Sequence, residues 1–205
     1  MRLKKVGDRT KVESDRYRHS AAEGQADDLR LLALVRVRDL QAFERLYRLY
    51  HPRLSRFVLS LVHRHTLVEE VVNDTMMVLW DKPQSFNGDS RLSTWLFTIA
   101  YRKAIKARLR QEEPVDDSNL VPRIDDDAPP DQNFGRQRTA AILASAIEEL
   151  SPDHRAVVHL TYFQEIGYRE IADILGCPVD TVKTRMFHAR RHLKRKLAGE
   201  LADWL

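Results

Sequence analysis

The sequence predicts an all-α protein: two helical domains joined by an acidic flexible linker, the C-terminal one a helix-turn-helix. Three observations lead there. Apolar residues recur three and four apart over residues 26–110 and again over 136–205, with no run of strand-like alternation. Over 111–135 that period vanishes. There Glu112, Glu113, Asp116, Asp117, Asp125, Asp126, Asp127 and Asp131 are opposed by Arg123 alone, and Pro114, Pro122, Pro129 and Pro130 forbid a continuous helix. Finally, Gly176 separates a short amphipathic segment from a long one whose outer face is basic.

With 205 residues, 43% of them hydrophobic, the chain can bury the core of one medium domain or two small ones. Seven Gly and eight Pro are too few for a turn-rich strand protein. Cys177 is the single cysteine, which excludes an intramolecular disulfide and fits a reducing cytoplasm. No apolar run reaches the roughly 18 residues of a membrane span. Residues 1–25 are basic without an apolar stretch, so they predict a disordered basic arm and no signal peptide. The net charge is only +4, so where the charges lie says more than their sum.

In the first helical stretch, Leu40, Phe43, Leu46, Tyr47 and Tyr50 share a face, and Leu54, Phe57, Val58, Leu61 and Val62 repeat the pattern after Pro52. Thr66-Leu-Val-Glu69 has the form of a capping box. It predicts a helix with Val68, Val71, Val72, Thr75, Met76 and Leu79 inside, ending before Pro83. A turn over 85–90 follows, with Ser90 as the expected cap of a helix that buries Leu92, Trp95, Leu96, Ile99 and Ala100. In the second stretch, Ile142, Ala146, Ile147 and Leu150 line one helix. Ser151-Pro152 reads as an N-cap followed by a proline at the first helical position, opening a helix through Val157, Val158, Leu160 and Tyr162. Residues 168–175 form a short helix that Gly176 stops as a left-handed cap, and Cys177-Pro178 begins the last helix.

On that last helix, Val182, Met186, Ala189 and Leu193 share one side and can pack on Ile171, Ala172 and Leu175. The other side shows Thr181, Lys183, Thr184, Arg185, His188, Arg191 and Arg195. In a helix-turn-helix the start of the second helix reaches base edges. Thr184, Arg185 and His188 are therefore candidate base readers. Lys194, Arg195 and Lys196 are candidate phosphate contacts, each expected to add about −0.9 to the log-log salt slope. The bland alternative is a solvated basic helix end, or one resting on an anionic membrane. The in-register short helix, glycine turn and proline start favour DNA.

Residues 85–110, SFNGDSRLSTWLFTIAYRKAIKARLR, interleave Phe86, Trp95, Phe97 and Tyr101 with Arg91, Arg102, Lys103, Lys106, Arg108 and Arg110. Aromatic faces plus cations suit the bases and backbone of a single strand. Trp95 lies on the Leu92, Leu96 and Ile99 face and reads as core. The loop 86–91 and the basic side of the helix keep the nucleic-acid reading.

Three segments together resemble the bacterial sigma factors of the extracytoplasmic-function (ECF) subgroup of the sigma-70 family. LVEEVVNDTMMVLW (67–80) resembles the helix that binds the polymerase clamp. FNGDSRLSTWLFTIAYRKAIKARLR (86–110) resembles the segment that opens and reads the −10 element. LSPDHRAVVHLTYFQEIGYREIADILGCPVDTVKTRMFHARRHLKRKL (150–197) resembles the −35-reading domain. Their order, their spacing and the acidic linker carry the likeness, and the chain has no room for the extra domain that housekeeping sigma factors place between these two.

The resemblance implies an adaptor for core RNA polymerase (beta-prime clamp and beta flap) and promoter DNA, with an anti-sigma factor as a further partner and no cofactor. Residues 26–110 would be the polymerase and −10 domain, and 136–205 the −35 domain. The linker would thread the polymerase's RNA channel. By position, Glu69, Glu70, Asp74, Thr75, Leu79 and Trp80 match the clamp-binding helix. Asn87, Gly88, Asp89 and Ser90 match the loop that holds a flipped −10 base. Arg102, Lys103, Lys106 and Arg110 match −10 backbone contacts. Lys183, Thr184, Arg185, Phe187 and His188 match the −35 readers, alongside Thr181, Arg191, Lys194 and Arg195 on the same outer surface. Two positions depart from the pattern: Leu67 stands where the clamp helix usually begins with an acidic residue, and His188 where relatives often carry Arg. Energetics agree with an adaptor. Opening about 12 base pairs at roughly 1.4 kcal/mol per step costs on the order of 15 kcal/mol, whereas capturing a flipped base or two returns only a few.

Other constellations read blandly. His63 and His65 point to different sides of a helix without a ligand set, Cys177 reads as a small turn residue, and Thr66 as a cap. No nucleophile–base arrangement suggests an enzyme. The rival reading is a stand-alone helix-turn-helix regulator whose N-terminal helices serve dimerisation or ligand sensing.

Overall fold

The computed structural model describes residues 24–62, 64–112 and 142–202. Among them are eight α-helices, one 3-10 turn and no strand. The helices are α1 (24–36), α2 (Leu40–Val62), α3 (His65–Asp81), α4 (Leu92–Glu112), α5 (142–148), α6 (Pro152–Tyr162), α7 (Tyr168–Leu175) and α8 (Val179–Ala202). The first four form one helical domain and the last four the other. Residues 1–23 of the basic arm (1–25), residues 113–135 of the acidic linker (111–135), residues 136–141 and His63 lie outside the described residues; residues 24–25 and 111–112 are helical, so the arm and the linker are each two residues shorter than expected at those ends.

The first domain is built on α2, which packs against both α3 and α4. Asp39 opens α2 by accepting a hydrogen bond from the Ala42 backbone N–H at 3.0 Å, a side-chain cap. The helix then runs unbroken through Pro52. A proline inside a helix forfeits one backbone hydrogen bond and crowds the preceding turn. Here one buried stripe on both sides of it, Leu46, Tyr50, Leu54, Phe57, Val58 and Leu61, holds the helix together. Each fully buried apolar side chain of this kind contributes roughly 1.5–3 kcal/mol.

Two predicted caps are corrected. Helix α3 starts at His65 with extended Arg64 as its N-cap, so Thr66 already sits in the first turn and no capping box forms. The Glu69 carboxylate instead lies 3.5 Å from His51 Nε2. Helix α4 starts at Leu92, its first backbone bond running from Trp95 N–H to the Arg91 carbonyl. Arg91 is therefore the boundary residue, and Ser90 donates its hydroxyl to the Arg91 carbonyl at 3.3 Å.

In the second domain, Ser151 with Pro152 starts α6 as the sequence indicates, but the serine hydroxyl contacts the His154 ring and caps no backbone N–H. Gly176 ends α7 at φ 64°, ψ 39°, its N–H bonded to the Ala172 carbonyl. Ile171, Ala172 and Ile174 of α7 meet Val182, Met186 and Ala189 of α8 in the core. That is the helix-turn-helix.

The two domains are packed on one another, α6 against α2 and α7 against α4, and their buried apolar residues form one continuous cluster. Phe57 of α2 faces His159 of α6 with ring centroids 5.6 Å apart. Arg155, only 5% exposed, donates to the Ser60 carbonyl of α2 at 2.9 Å and to the Leu150 carbonyl of its own domain at 2.8 Å.

Candidate nucleic-acid interface

Helix α3 turns Val68, Val72, Thr75, Met76 and Leu79 into the core, and the opposite face carries Glu70, Asn73, Asp74 and Met77. Glu69 and Glu70 are exposed, as the candidate polymerase contacts should be. Thr75 and Leu79 are not: both are fully buried, and the Thr75 hydroxyl donates to the Val71 carbonyl at 2.7 Å. At 100° per residue they belong to the stripe of Val68 and Val72, so they fasten the helix to its core and present nothing to a partner. Met77, 48% exposed, occupies the outer face instead. Trp80 is half-buried against Phe43, with Arg38 across its ring at 5.3 Å and donating to its carbonyl at 2.7 Å.

The loop after α3 is fixed by its own chemistry. Gly88 has φ 86°, a conformation that glycine adopts without penalty. The Asp89 backbone N–H donates to Asn87 Oδ1 at 3.2 Å, and the two side chains also touch. Asn87, Gly88 and Asp89 are exposed, Ser90 partly so. Phe86 differs from its expectation: it is 3% exposed and packs edge-on to Trp95 at 5.6 Å, anchoring the loop. Phe97 is wholly buried. Neither ring offers a face on which a base can stack.

Beyond the loop, Arg102, Lys106 and Arg110 are exposed at four-residue intervals, one stripe along α4. Lys103 sits beside them, its Nζ 2.7 Å from Asp74 Oδ2.

On α8, Thr184, Phe187, His188, Arg191, Lys194 and Arg195 are exposed and Thr181 partly so; Phe187 is 62% exposed. Lys183 is exposed and paired with Asp180 at 2.9 Å. Arg185 does not reach out freely. Its guanidinium is ion-paired with Asp153 of α6, and the other Asp153 oxygen lies 3.5 Å from the Tyr101 hydroxyl of α4. His188 stands edge-on to His154 at 6.2 Å. Partial burial and the neighbouring cations hold the His154 ring below its ordinary pKa. Lys196 pairs with Glu149 at 2.7 Å, and its hydrogen bond holds that carboxyl below the usual range. Sequence reading missed Asp153 and Glu170, and the contact that Tyr101 makes with Asp153, because the partners lie in the other domain or on another helix.

A helix-turn-helix beside a second helical domain that exposes an ordered loop and a basic stripe defines a DNA-binding protein. Its second domain matches Sigma-70, region 4 over residues 140–193, and its first matches Sigma-70 region 2 over 46–113. The chain is 30% identical over 164 residues to the ECF RNA polymerase sigma factor RpoE of Cereibacter sphaeroides, covering 78% of this chain and 89% of that one. The protein belongs to the ECF subgroup of the sigma-70 family of RNA polymerase sigma factors. Solved structures of sigma factors resemble it. CnrH, in complex with the cytosolic domain of CnrY, superimposes with a TM-score of 0.62 at 25% identity, covering 84% of this chain and 98% of that chain. The sigma factor RpoE from Bartonella quintana, in complex with the anti-sigma factor NepR, gives 0.58 at 27% identity, covering 78% and 98%.

Membership makes this chain a promoter-specific transcription initiation factor that works with RNA polymerase. The stand-alone regulator reading is thereby overturned, since region 2 occupies the helices it reserved for dimerisation or ligand sensing. No described helix is long and apolar enough to cross a membrane.

Proposed function

We propose that the first domain, residues 26–110, grips the polymerase clamp and captures melted −10 DNA, while the second, 136–205, reads the −35 element in duplex form. The acidic segment 111–135 passes between them through the polymerase. Glu69, Glu70 and Asp74 make the clamp contacts, joined by Met77, with Trp80 at the edge of that face. The 87–90 loop holds a flipped base, and Arg102, Lys106 and Arg110 follow the strand's phosphates, with Lys103 released from Asp74 on assembly. Thr184, Arg185, Phe187 and His188 address base edges; Arg191, Lys194 and Arg195 address phosphates. The protein acts in the cytoplasm, wherever its polymerase is.

The observation that carries this reading is the exposed surface of α8, where the candidate base readers stand in the first turns and the cations in the later ones, the arrangement a recognition helix uses. An apolar groove of about 650 Å³ between α5, α6 and α8, lined by Leu143, Ile147, Val158, Leu193 and Leu197, suits docking of the polymerase's beta flap. An anti-sigma factor would compete for the same exposed faces.

The test is run-off transcription with bacterial core polymerase on genomic fragments, core alone serving as control. New discrete transcripts, with start sites that share two upstream elements, are expected. If the protein adds no start site while it binds duplex DNA without polymerase, the proposal fails.

A further inference from the structure

We infer that Arg36, the last residue of α1, is a further −10 contact. One nitrogen of its guanidinium anchors the peptide that leads into the 87–90 loop, and the rest of the group takes a backbone phosphate of the single strand beside the captured base. The inference rests on the base-capturing role proposed above for that loop.

The position of Arg36 follows from the core. Helix α1 buries Leu32 and Val35, 1% and 0% exposed. Arg36 comes one turn after Leu32 and so continues the same side of the helix to its end. There its Nη2 donates to the Phe86 carbonyl at 3.0 Å. That carbonyl belongs to the peptide bond joining Phe86 to Asn87, the first residue of the loop. Among the described residues no backbone N–H donates to it. The Phe86 ring is itself buried against Trp95. Ring and carbonyl of one residue are thus both tied down where the loop begins, and the guanidinium lies within a residue of Asn87.

Charge then decides what the exposed part of Arg36 does. Asp89 places a carboxylate in the loop, which repels a phosphate at close range. A strand whose base enters the loop needs a cation beside it. Arg91 Nε lies 3.3 Å from Glu170, and Lys103 Nζ 2.7 Å from Asp74, so both of these cations already face carboxylates. Arg36 is exposed, and among the described residues its partner is the neutral Phe86 carbonyl alone. A guanidinium is a planar fork of several N–H donors, of which one carbonyl occupies only one. The remaining donors suit phosphate, which arginine binds with two parallel hydrogen bonds. A lysine has a single nitrogen and lacks the fork that holds carbonyl and phosphate together.

The test uses full-length protein assembled with core polymerase. The probe is a promoter located by run-off transcription, its −10 segment held open by mismatched bases. Arg36→Gln removes the charge and keeps a donor for the carbonyl, whereas Arg36→Lys keeps the charge and loses the fork. Circular dichroism checks folding, and competition with wild-type protein for core checks polymerase binding. For Arg36→Gln, affinity for the open promoter is expected to fall on the order of tenfold. Its log-log salt slope is expected to become shallower by about 0.7, the contribution of one single-strand phosphate. Arg36→Lys retains the slope. Phosphates of the captured strand are also replaced one at a time by neutral methylphosphonates. At one linkage beside the captured base, Arg36→Gln should then cost nothing further. An unchanged slope in Arg36→Gln, whatever its affinity, would reduce Arg36 to a brace of the loop and overturn the phosphate contact. Losses that add at every linkage would overturn it as well. Failure of the base-capturing role shows separately: abasic sites placed one by one through the −10 segment would then leave wild-type affinity unchanged.

Discussion

Lys103 Nζ of α4 lies 2.7 Å from Asp74 Oδ2 of α3, joining a proposed DNA contact to a proposed polymerase contact. The lysine side chain is 32% exposed and the aspartate 58%. A pair so open to solvent is worth roughly 0–1 kcal/mol. Asp74→Ala and Lys103→Ala are each expected to leave the denaturant midpoint close to wild type. They separate in function: Asp74→Ala lowers affinity for core polymerase, and Lys103→Ala lowers open-complex formation at equal polymerase binding. If both variants lose only stability, the pair is a structural strut and the two assignments are withdrawn.

Gly176 is the hinge residue of the helix-turn-helix. Its left-handed φ of 64° closes α7, and a Cβ added there would meet no atom within 4 Å. The penalty of Gly176→Ala is therefore conformational alone, about 1–2 kcal/mol. Urea unfolding should show that loss, with helical content unchanged. A larger loss would mean that the turn is also packed, contrary to the space around it.

His159 sits at the domain junction between Phe57 and Phe163, its Nδ1 without a hydrogen-bond partner, and burial pushes its pKa from the ordinary 6.5 down to about 4. The folded pKa lies below the unfolded one, so between pH 6.5 and 4 the unfolded chain binds more protons. Stability is therefore complete above about 6.5 and declines as pH falls towards 4, by an amount on the order of 3 kcal/mol. The nearby Arg56 adds to the shift in the same direction. His159→Phe should flatten that part of the pH–stability curve. An unchanged slope in the variant would assign it to carboxylates elsewhere.

Local chemistry made much of this architecture legible. Gly176 and Pro152 mark helix boundaries by backbone conformation alone, and the Val182, Met186, Ala189 stripe follows from helical geometry. What the sequence hid falls into two kinds. One is local competition. Thr66 resembles a cap, but the helix begins a residue earlier at His65, and Pro52 lies in a helix whose buried stripe outweighs it. Thr75 and Leu79 fit a family pattern by position while their own helix turns them inward. Phe86 reads as a stacking ring yet is a loop anchor. The other kind is long-range. Arg155 reaches back 95 residues to Ser60 and Arg53 forward 111 to Gln164, and no periodicity records such partners. The interdomain packing was illegible for that reason.

Arg185 and Lys194 give the sharpest test of how α8 divides its labour. Arg185 stands two turns into the helix, is 23% exposed as a side chain, and is oriented by Asp153. Its guanidinium lies near the start of the recognition helix, where bidentate pairing with a guanine is worth about 1–3 kcal/mol of discrimination. Lys194 lies more than two turns further along and is exposed, where a flexible ammonium serves phosphate. Arg185→Ala is expected to abolish preference at one position of the −35 element and to leave scrambled sites nearly unaffected. Lys194→Ala should weaken matched and scrambled sites alike and reduce the log-log salt slope by about 0.9. Both are measured in the holoenzyme. Equal losses on matched and scrambled DNA for the two variants would mean that both side chains contact only backbone, leaving base reading to Thr184, Phe187 and His188.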